Sequence, residues 1–292
     1  MPRYSRGYYL ECSCRSCAAL QTQFQMKTSI ALILPFLSSA AIPECTYNTP
    51  NHVPVTKPLD QLLPSHCFEN DQVLSKQLSN PQVYALDVNI KSTSNDGFQE
   101  LNATWTVPTN PASWYGFGYV NYFWSGFKAT QATIGFPVLQ PVLQYGEAGA
   151  EWQVQSWFVN QQPGGARSAN APPINDVQPG DTIVTSMTFN QETRYWTVLA
   201  TNERNKQVSN LTISYEAAGN TTYDYAMFVY ENILTPKECN QLPKSGGVTF
   251  TDISLDEKKK MNWTYVHGRT DCDLEVKVNA TTGDVDMKWD AK

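Results

Sequence analysis

The run Tyr122–Gly146, YFWSGFKATQATIGFPVLQPVLQYG, constrains the fold more than any other stretch of this chain. It holds no carboxylate, and Lys128 is its only strong base. It opens on the aromatic block Tyr122-Phe123-Trp124, followed by Ser125-Gly126. It closes on two Pro-Val-Leu-Gln units that end at Gln140 and Gln144. On a strand, residues four apart point the same way, so both amides share one face. An uncharged amide on an aromatic, apolar face is either a packed group bonded to backbone or one that reads a ligand.

Alternation of period two recurs along the rest of the chain, with Asn, Gly, Pro and Asp between the repeats, and long helical periodicity is absent. Expected strands include Val83–Lys91, Leu101–Val107, Glu151–Val159, the turn-and-strand Pro179–Phe189, Tyr195–Asn202, Val208–Tyr215, Tyr225–Tyr230, Gly247–Thr251 and Met261–Val266. A hairpin closes the chain, with Leu274, Val276 and Val278 on one arm and Val285, Met287 and Trp289 on the other. Pro108–Gly118 reads as a loop, and Asn160–Gly180 as the longest structureless segment, of the kind that is often functional. About a dozen short strands with almost no helix predict a sandwich of two antiparallel sheets. No repeat of 20–50 residues is evident. Asp284 and Asp286 are read as the polar face of an outer strand, and no metal site is expected.

The N-terminal region reads as an export signal. Met26-Lys27 precedes the apolar run Ile30–Leu37 and the small residues Ser38-Ser39-Ala40-Ala41. That order is the pattern of a secretory signal peptide, and the run is too short to span a bilayer. Residues 1–25 stand in front of it, so Met26 is expected to be the true initiator. The organisation is therefore read as a doubtful extension over 1–25, a signal peptide over 26–41, an irregular leader over 42–80 and a β domain over 81–292. A short helix is expected near Gln72–Leu78.

Cysteine usage agrees with export. Cys12, Cys14 and Cys17 lie in the doubtful extension and lack a second ligand cluster, which argues against a metal. Cys45, Cys67, Cys239 and Cys272 allow three pairings; Cys45–Cys67 with Cys239–Cys272 closes the shortest loops. Five sequons, at Asn102, Asn210, Asn220, Asn262 and Asn279, point to a glycosylating route. The chain carries a net charge of −6. Removal of Arg3, Arg6, Arg15 and Lys27 against Glu11 makes it more acidic still. An acidic chain without a basic stripe is a poor partner for nucleic acid or, once the signal is removed, for anionic membrane. A secreted monomer that takes a peptide or glycan ligand is expected.

Chemistry must come from few groups. There is no GxSxG, no HExxH and no phosphate loop. Two of the three histidines, His52 and His66, fall in the leader, and His267 stands alone. That argues against Ser-His-Asp or histidine–metal catalysis, and no cofactor is expected. Carboxylates and amides remain.

Six pieces in order bring a family into view: Thr104-Trp-Thr-Val-Pro108, Tyr122-Phe-Trp-Ser-Gly126, Val138-Leu139-Gln140, the Trp-rich strand Trp152–Trp157, Pro179-Gly180-Asp181-Thr-Ile183 and Gly247-Val-Thr-Phe-Thr251. Over residues 100–290 the chain resembles the eqolisins, the fungal glutamic peptidases. The resemblance implies a concanavalin-type jelly-roll β-sandwich and an acid endopeptidase site made of a glutamine and a glutamate. In that family the glutamate activates water as general base and the glutamine amide donates to the oxyanion, a device typically worth about 10²–10³ in rate. The resemblance places the glutamine at Gln140, with Gln144 as the fallback. It places the glutamate where this chain has Met227, in Ala226-Met227-Phe228-Val229-Tyr230-Glu231.

A thioether takes no proton from water, so a degenerate, non-peptidase relative is the leading expectation. Glu231 shares the parity of Met227 and is the alternative base, with Glu147 or Glu151 behind it, although four residues along a strand is about 13 Å. Trp124, Gln144, Trp152 and Trp157 are the candidate ligand-binding residues, against ordinary sandwich packing of the rings. A lectin-like carbohydrate-binding module is the third reading.

Overall fold

The computed structural model describes residues 45–49, 53–58, 61–63, 84–114, 120–133, 135–162, 165–233, 239–256, 263–267 and 271–292. The expected signal peptide, the extension before it, the helix near Gln72–Leu78, Cys67 and Asn262 lie outside the described residues.

Among the described residues, sixteen strands form two sheets. In the first, β1 (Cys45–Asn48), β7 (Gly165–Asn170), β6 (Trp152–Gln162), β5 (Phe136–Tyr145), β4 (Val120–Lys128), β12 (Tyr225–Ile233), β2 (Tyr84–Lys91) and β14 (Trp263–His267) lie side by side in that order. A further strand, β8 (Ile174–Val177), pairs with β6. In the second sheet the order is β11 (Val208–Ser214), β10 (Tyr195–Asn202), β9 (Thr182–Asn190), β3 (Glu100–Thr106), β13 (Gly247–Leu255), β16 (Val285–Lys288) and β15 (Glu275–Val278). This is the all-β sandwich of two sheets that the alternation predicts, and the jelly roll that the resemblance implies.

Alternation decides what each strand buries. β10 runs Tyr195–Asn202 with every second residue buried, and Trp196, Val198 and Ala200 face inward. Between the sheets, Phe123 stacks on Tyr230 with ring centroids 4.6 Å apart, and Trp196 packs edge-on against Phe127 at 5.7 Å. Each such fully buried side chain contributes about 1.5–3 kcal/mol. The Cys239–Cys272 bridge forms as expected, with its Cα atoms 5.5 Å apart. A loop of that length, with a sequence separation of 33, is worth about 3.7 kcal/mol in the loop-entropy picture. Cys45 begins β1, and its expected partner is beyond the described residues.

Two expectations need correction. Asn160–Gly180 is not structureless: β6 runs on to Gln162, and β7 and β8 follow. These strands are short: β7, GARSAN, is mostly polar and paired with β6 and β1, and β8, INDV, buries only Ile174 and Val177 at its two ends, so neither shows an apolar alternation of period two. The described residues of the leader also include a strand. β1 pairs in parallel with β7, from Cys45 against Arg167 to Asn48 against Asn170, the one departure from antiparallel pairing among the described strands. Val55 then bonds to the far sheet's edge strand, donating to the Thr212 carbonyl at 2.9 Å and accepting from the Ser214 amide at 2.8 Å. Val55 and Leu63 are buried in the common core. β1 and Val55 thus tie this segment to an edge of both sheets.

Candidate functional site

The outer face of the first sheet carries a second apolar cluster, separate from the core: Trp124, Val142, Met227 and Val229, flanked by Tyr122, Val138, Trp157 and Tyr225. These side chains alternate with the inward Phe123, Phe127, Leu139, Leu143, Ala226 and Phe228 on the same strands. The strand register arranges this face in cross-strand rows.

One row crosses β6, β5, β4, β12 and β2. Trp157 is paired with Gln140. The flanking pairs Trp124–Val142 and Phe127–Leu139 set Gly126 against Gln140. Gly126 is paired with Met227, and Met227 with Asn89. Gln140 and Met227 therefore stand two strands apart, about 10 Å between Cα atoms at ordinary strand spacing. Only a glycine lies between them. A Cβ at Gly126 would come 2.6 Å from the Leu139 carbonyl oxygen and 3.0 Å from Cε3 and Cζ3 of Trp124. The Trp124 indole thus covers the glycine, and no side chain fits in its place. Gln140 is half-buried, and among the described residues its amide has no hydrogen-bond partner. It is not a packed group bonded to backbone. Met227 is buried beside Trp124. At the position where the resemblance expects a carboxylate, the floor is sulfur, indole and valine.

A second row lies four residues along the strands: Gln153, Gln144, Tyr122 and Glu231 in sequence across β6, β5, β4 and β12. Gln144 is buried and donates to Gln153 Oε1 at 3.2 Å, and Gln153 donates to Asn175 Oδ1 at 2.8 Å. The Gln144 carbonyl oxygen has no partner. Glu231 is not a solvent-side carboxylate at a strand end. Burial pushes its carboxyl above the usual glutamate range, and the Trp124 indole N–H, 3.4 Å from Oε2, offsets this in part. Tyr122 occupies the middle of this row, and its hydroxyl donates to Glu147 Oε2 at 2.8 Å. Glu231 is about 16 Å from Gln140 by strand spacing and rise, too far to share a water with it. Glu151 is an exposed turn residue ahead of β6.

Of the candidate ligand-binding residues, Trp124, Gln144 and Trp157 share this face. Trp152 does not: it is buried between the sheets, donates to Asn110 Oδ1 at 2.9 Å and packs on Tyr145. It is an odd number of residues from Trp157, and a strand sends such a pair to opposite faces. Tyr122, Gln153 and Gln155 were not among the expected ligand-binding residues, although the parity of Tyr122 with Trp124 and of Gln153 and Gln155 with Trp157 places them here. The Asn210, Asn220 and Asn279 sequons are exposed, while the half-exposed Asn102 amide is held by Glu100 and Ser254. Asp286 is held by Thr249 and Lys288, as an outer strand face requires. No cluster suited to a metal ion occurs among the described residues.

A jelly-roll sandwich whose outer face sets a free glutamine two strands from the expected acid position defines a glutamic-peptidase type of architecture. The chain belongs to the Peptidase A4 family, whose sequence profile matches residues 88–289. Two crystal structures of scytalido-glutamic peptidase are similar to it, one with a peptide-based transition-state analogue and one with a transition-state analogue inhibitor. They share 15% and 17% identity with this chain, and each match has a TM-score of 0.51 and covers 71% of this chain and 98% of the other. SCP-B, a member of the eqolisin family solved with the tripeptide Ala-Ile-His, matches over the same shares at 17% identity and a TM-score of 0.48. At these identities the likeness is one of fold. No curated protein sequence matches significantly.

Proposed function

We propose that this is a secreted member of the Peptidase A4 family that binds peptide on the outer face of its first sheet and does not hydrolyse it. One observation carries the reading: Met227 stands across Gly126 from the free Gln140 amide, in a row without a carboxylate. The amide can still donate to a bound carbonyl. Nothing in the row can take a proton from water, and loss of a general base alone lowers rate by about 10²–10⁴. The family itself, and the peptide-based analogue bound by a structure of the same fold, favour peptide over glycan as ligand. The purified protein is expected to leave denatured protein uncut across pH 2–6 while retaining peptides. Cleavage that Gln140→Ala abolishes would refute the reading, and glycan-array binding in place of peptide binding would refute its ligand class.

A second reading, an acid endopeptidase with Glu231 as base, draws on the shared row of Glu231 and Gln144 and on the raised pKa of that acid. The Tyr122 position between them and the commitment of the Gln144 amide to Gln153 weigh against it. Turnover lost in Glu231→Gln would establish it.

A further inference from the structure

We propose that one end of this face is a carboxylate-binding subsite that selects an acidic side chain in an extended peptide. The inference rests on the peptide-binding reading above. Its residues close the face at the row next to Gln140 and Met227: Val138, Lys128, Tyr225 and Lys91, paired in turn across β5, β4, β12 and β2. The two lysines thus flank Tyr225 on neighbouring strands, about 10 Å apart at Cα. Phe136 lies one step beyond Val138 on the same face and is 54% exposed.

Each ammonium is carried on an aromatic face rather than by a carboxylate. Lys91 Nζ lies 5.8 Å from the Tyr225 ring centroid, and Lys128 Nζ lies 5.6 Å from that of Phe136. Among the described residues neither lysine makes an ion pair. Most other described cations do: Arg194 pairs with Glu216, Arg204 with Asp176 and Asp181, Lys206 with Glu203, Lys277 with Glu275 and Lys288 with Asp286. In a chain with more acids than bases, two unpaired cations beside one another on the face with the free amide are a charge waiting for a counter-charge.

The opposite end has the reverse character. It carries Glu147, held by the Tyr122 hydroxyl, and Glu231. An acidic ligand group is therefore drawn to the lysine end and disfavoured at the other. The lysine row is two residues along the strands from the Gln140 row, about 7 Å, which is also two residues of an extended peptide. A peptide held by Gln140 and running along the strands would place its neighbouring same-face side chain beside Lys128, one strand away, with Lys91 two strands further along the row.

Acetylated, amidated octapeptides of neutral sequence, each with one glutamate or its isostere glutamine at a scanned position, test this by fluorescence polarisation on the full secreted chain. At one position the glutamate peptide is expected to bind more tightly than its glutamine partner by about fivefold per lysine, the upper range for a partly exposed ion pair. That preference should vanish in the Lys91→Gln/Lys128→Gln double variant, whose two sites are at the surface. In the unaltered protein it should also fade between about 0.1 M and about 1 M salt, as screening shortens from ~10 Å to ~3 Å. Equal binding of the two peptides overturns the subsite and leaves peptide binding intact. Failure to bind any peptide removes both. A gain seen only with a free C-terminal carboxylate overturns the assignment to a side chain, as does a glutamate preference that survives the double variant.

Discussion

The Gln140 and Gln144 rows are built on the same three strands, β5, β4 and β12, and differ in what the middle strand supplies. In the first, β4 presents Gly126, and the amide and the residue facing it are separated by a glycine that the Trp124 indole covers. In the second, β4 presents Tyr122, and the amide and the acid that share the row are both engaged: Gln144 with Gln153, and Glu231 with the Trp124 indole. The first row has a free amide and no base, and the second has an acid and an amide already bonded to Gln153. The halves of a glutamine–glutamate site are both present on this face, four residues out of step. A mutation series can break that contrast or sharpen it.

Trp124 joins the two rows, since its benzo edge covers Gly126 and its N–H meets Glu231. Trp124→Ala is expected to give the largest loss, about 3–5 kcal/mol by denaturant titration, the usual range for truncating a buried aromatic. A loss below about 1 kcal/mol would mean that the indole does not organise the face. Gly126→Ala follows at about 1–3 kcal/mol, because its Cβ must displace either the Leu139 carbonyl or the indole.

Gln144→Ala should cost about 1–3 kcal/mol, since it leaves buried Gln153 without its donor. Gln140→Ala should change stability by no more than about 0.5 kcal/mol, as expected away from packed or bonded groups, while it weakens peptide binding. If the two glutamines behaved alike, the contrast between the rows would fail.

Glu231 adds a pH test. Its folded pKa lies above the unfolded value, so the folded state holds this proton more tightly. The contribution is fully present below the usual glutamate range and is lost as pH rises through the raised value. Glu231→Gln should therefore flatten the decline in stability on going from acid to neutral pH, measured by thermal melts, and should be the more stable form at pH 7. A variant that is less stable at pH 7 would show that the carboxylate is favourably held as an ion.

Much of the architecture was legible because period-two alternation is written into residues such as Trp196, Val198 and Ala200. One end of the first sheet was not. β1 and β7 are backbone-paired and carry mostly Cys, Thr, Ser, Asn and Gly, and β8 has its two apolar residues, Ile174 and Val177, three apart, so none of them gives an apolar rhythm of period two. On the outer face, Gln140 and Met227 could be matched to family pieces, but their shared row depends on the register through β4, which no single strand reveals. The exclusion of Trp152 was readable from parity alone. The pairing of Lys91 and Lys128 around Tyr225 was not, because it joins residues from three distant segments.

The account turns on the missing acid at one position. The most direct measurement is hydrolysis of a denatured protein substrate across pH 2–6 by the natural chain and by Met227→Glu. The prediction is no turnover by the natural chain and a gain of at least ~10² in the variant, the low end of what a positioned general base supplies, abolished again by Gln140→Ala. Turnover by the natural chain that Met227→Glu leaves unchanged and Glu231→Gln removes would contradict it.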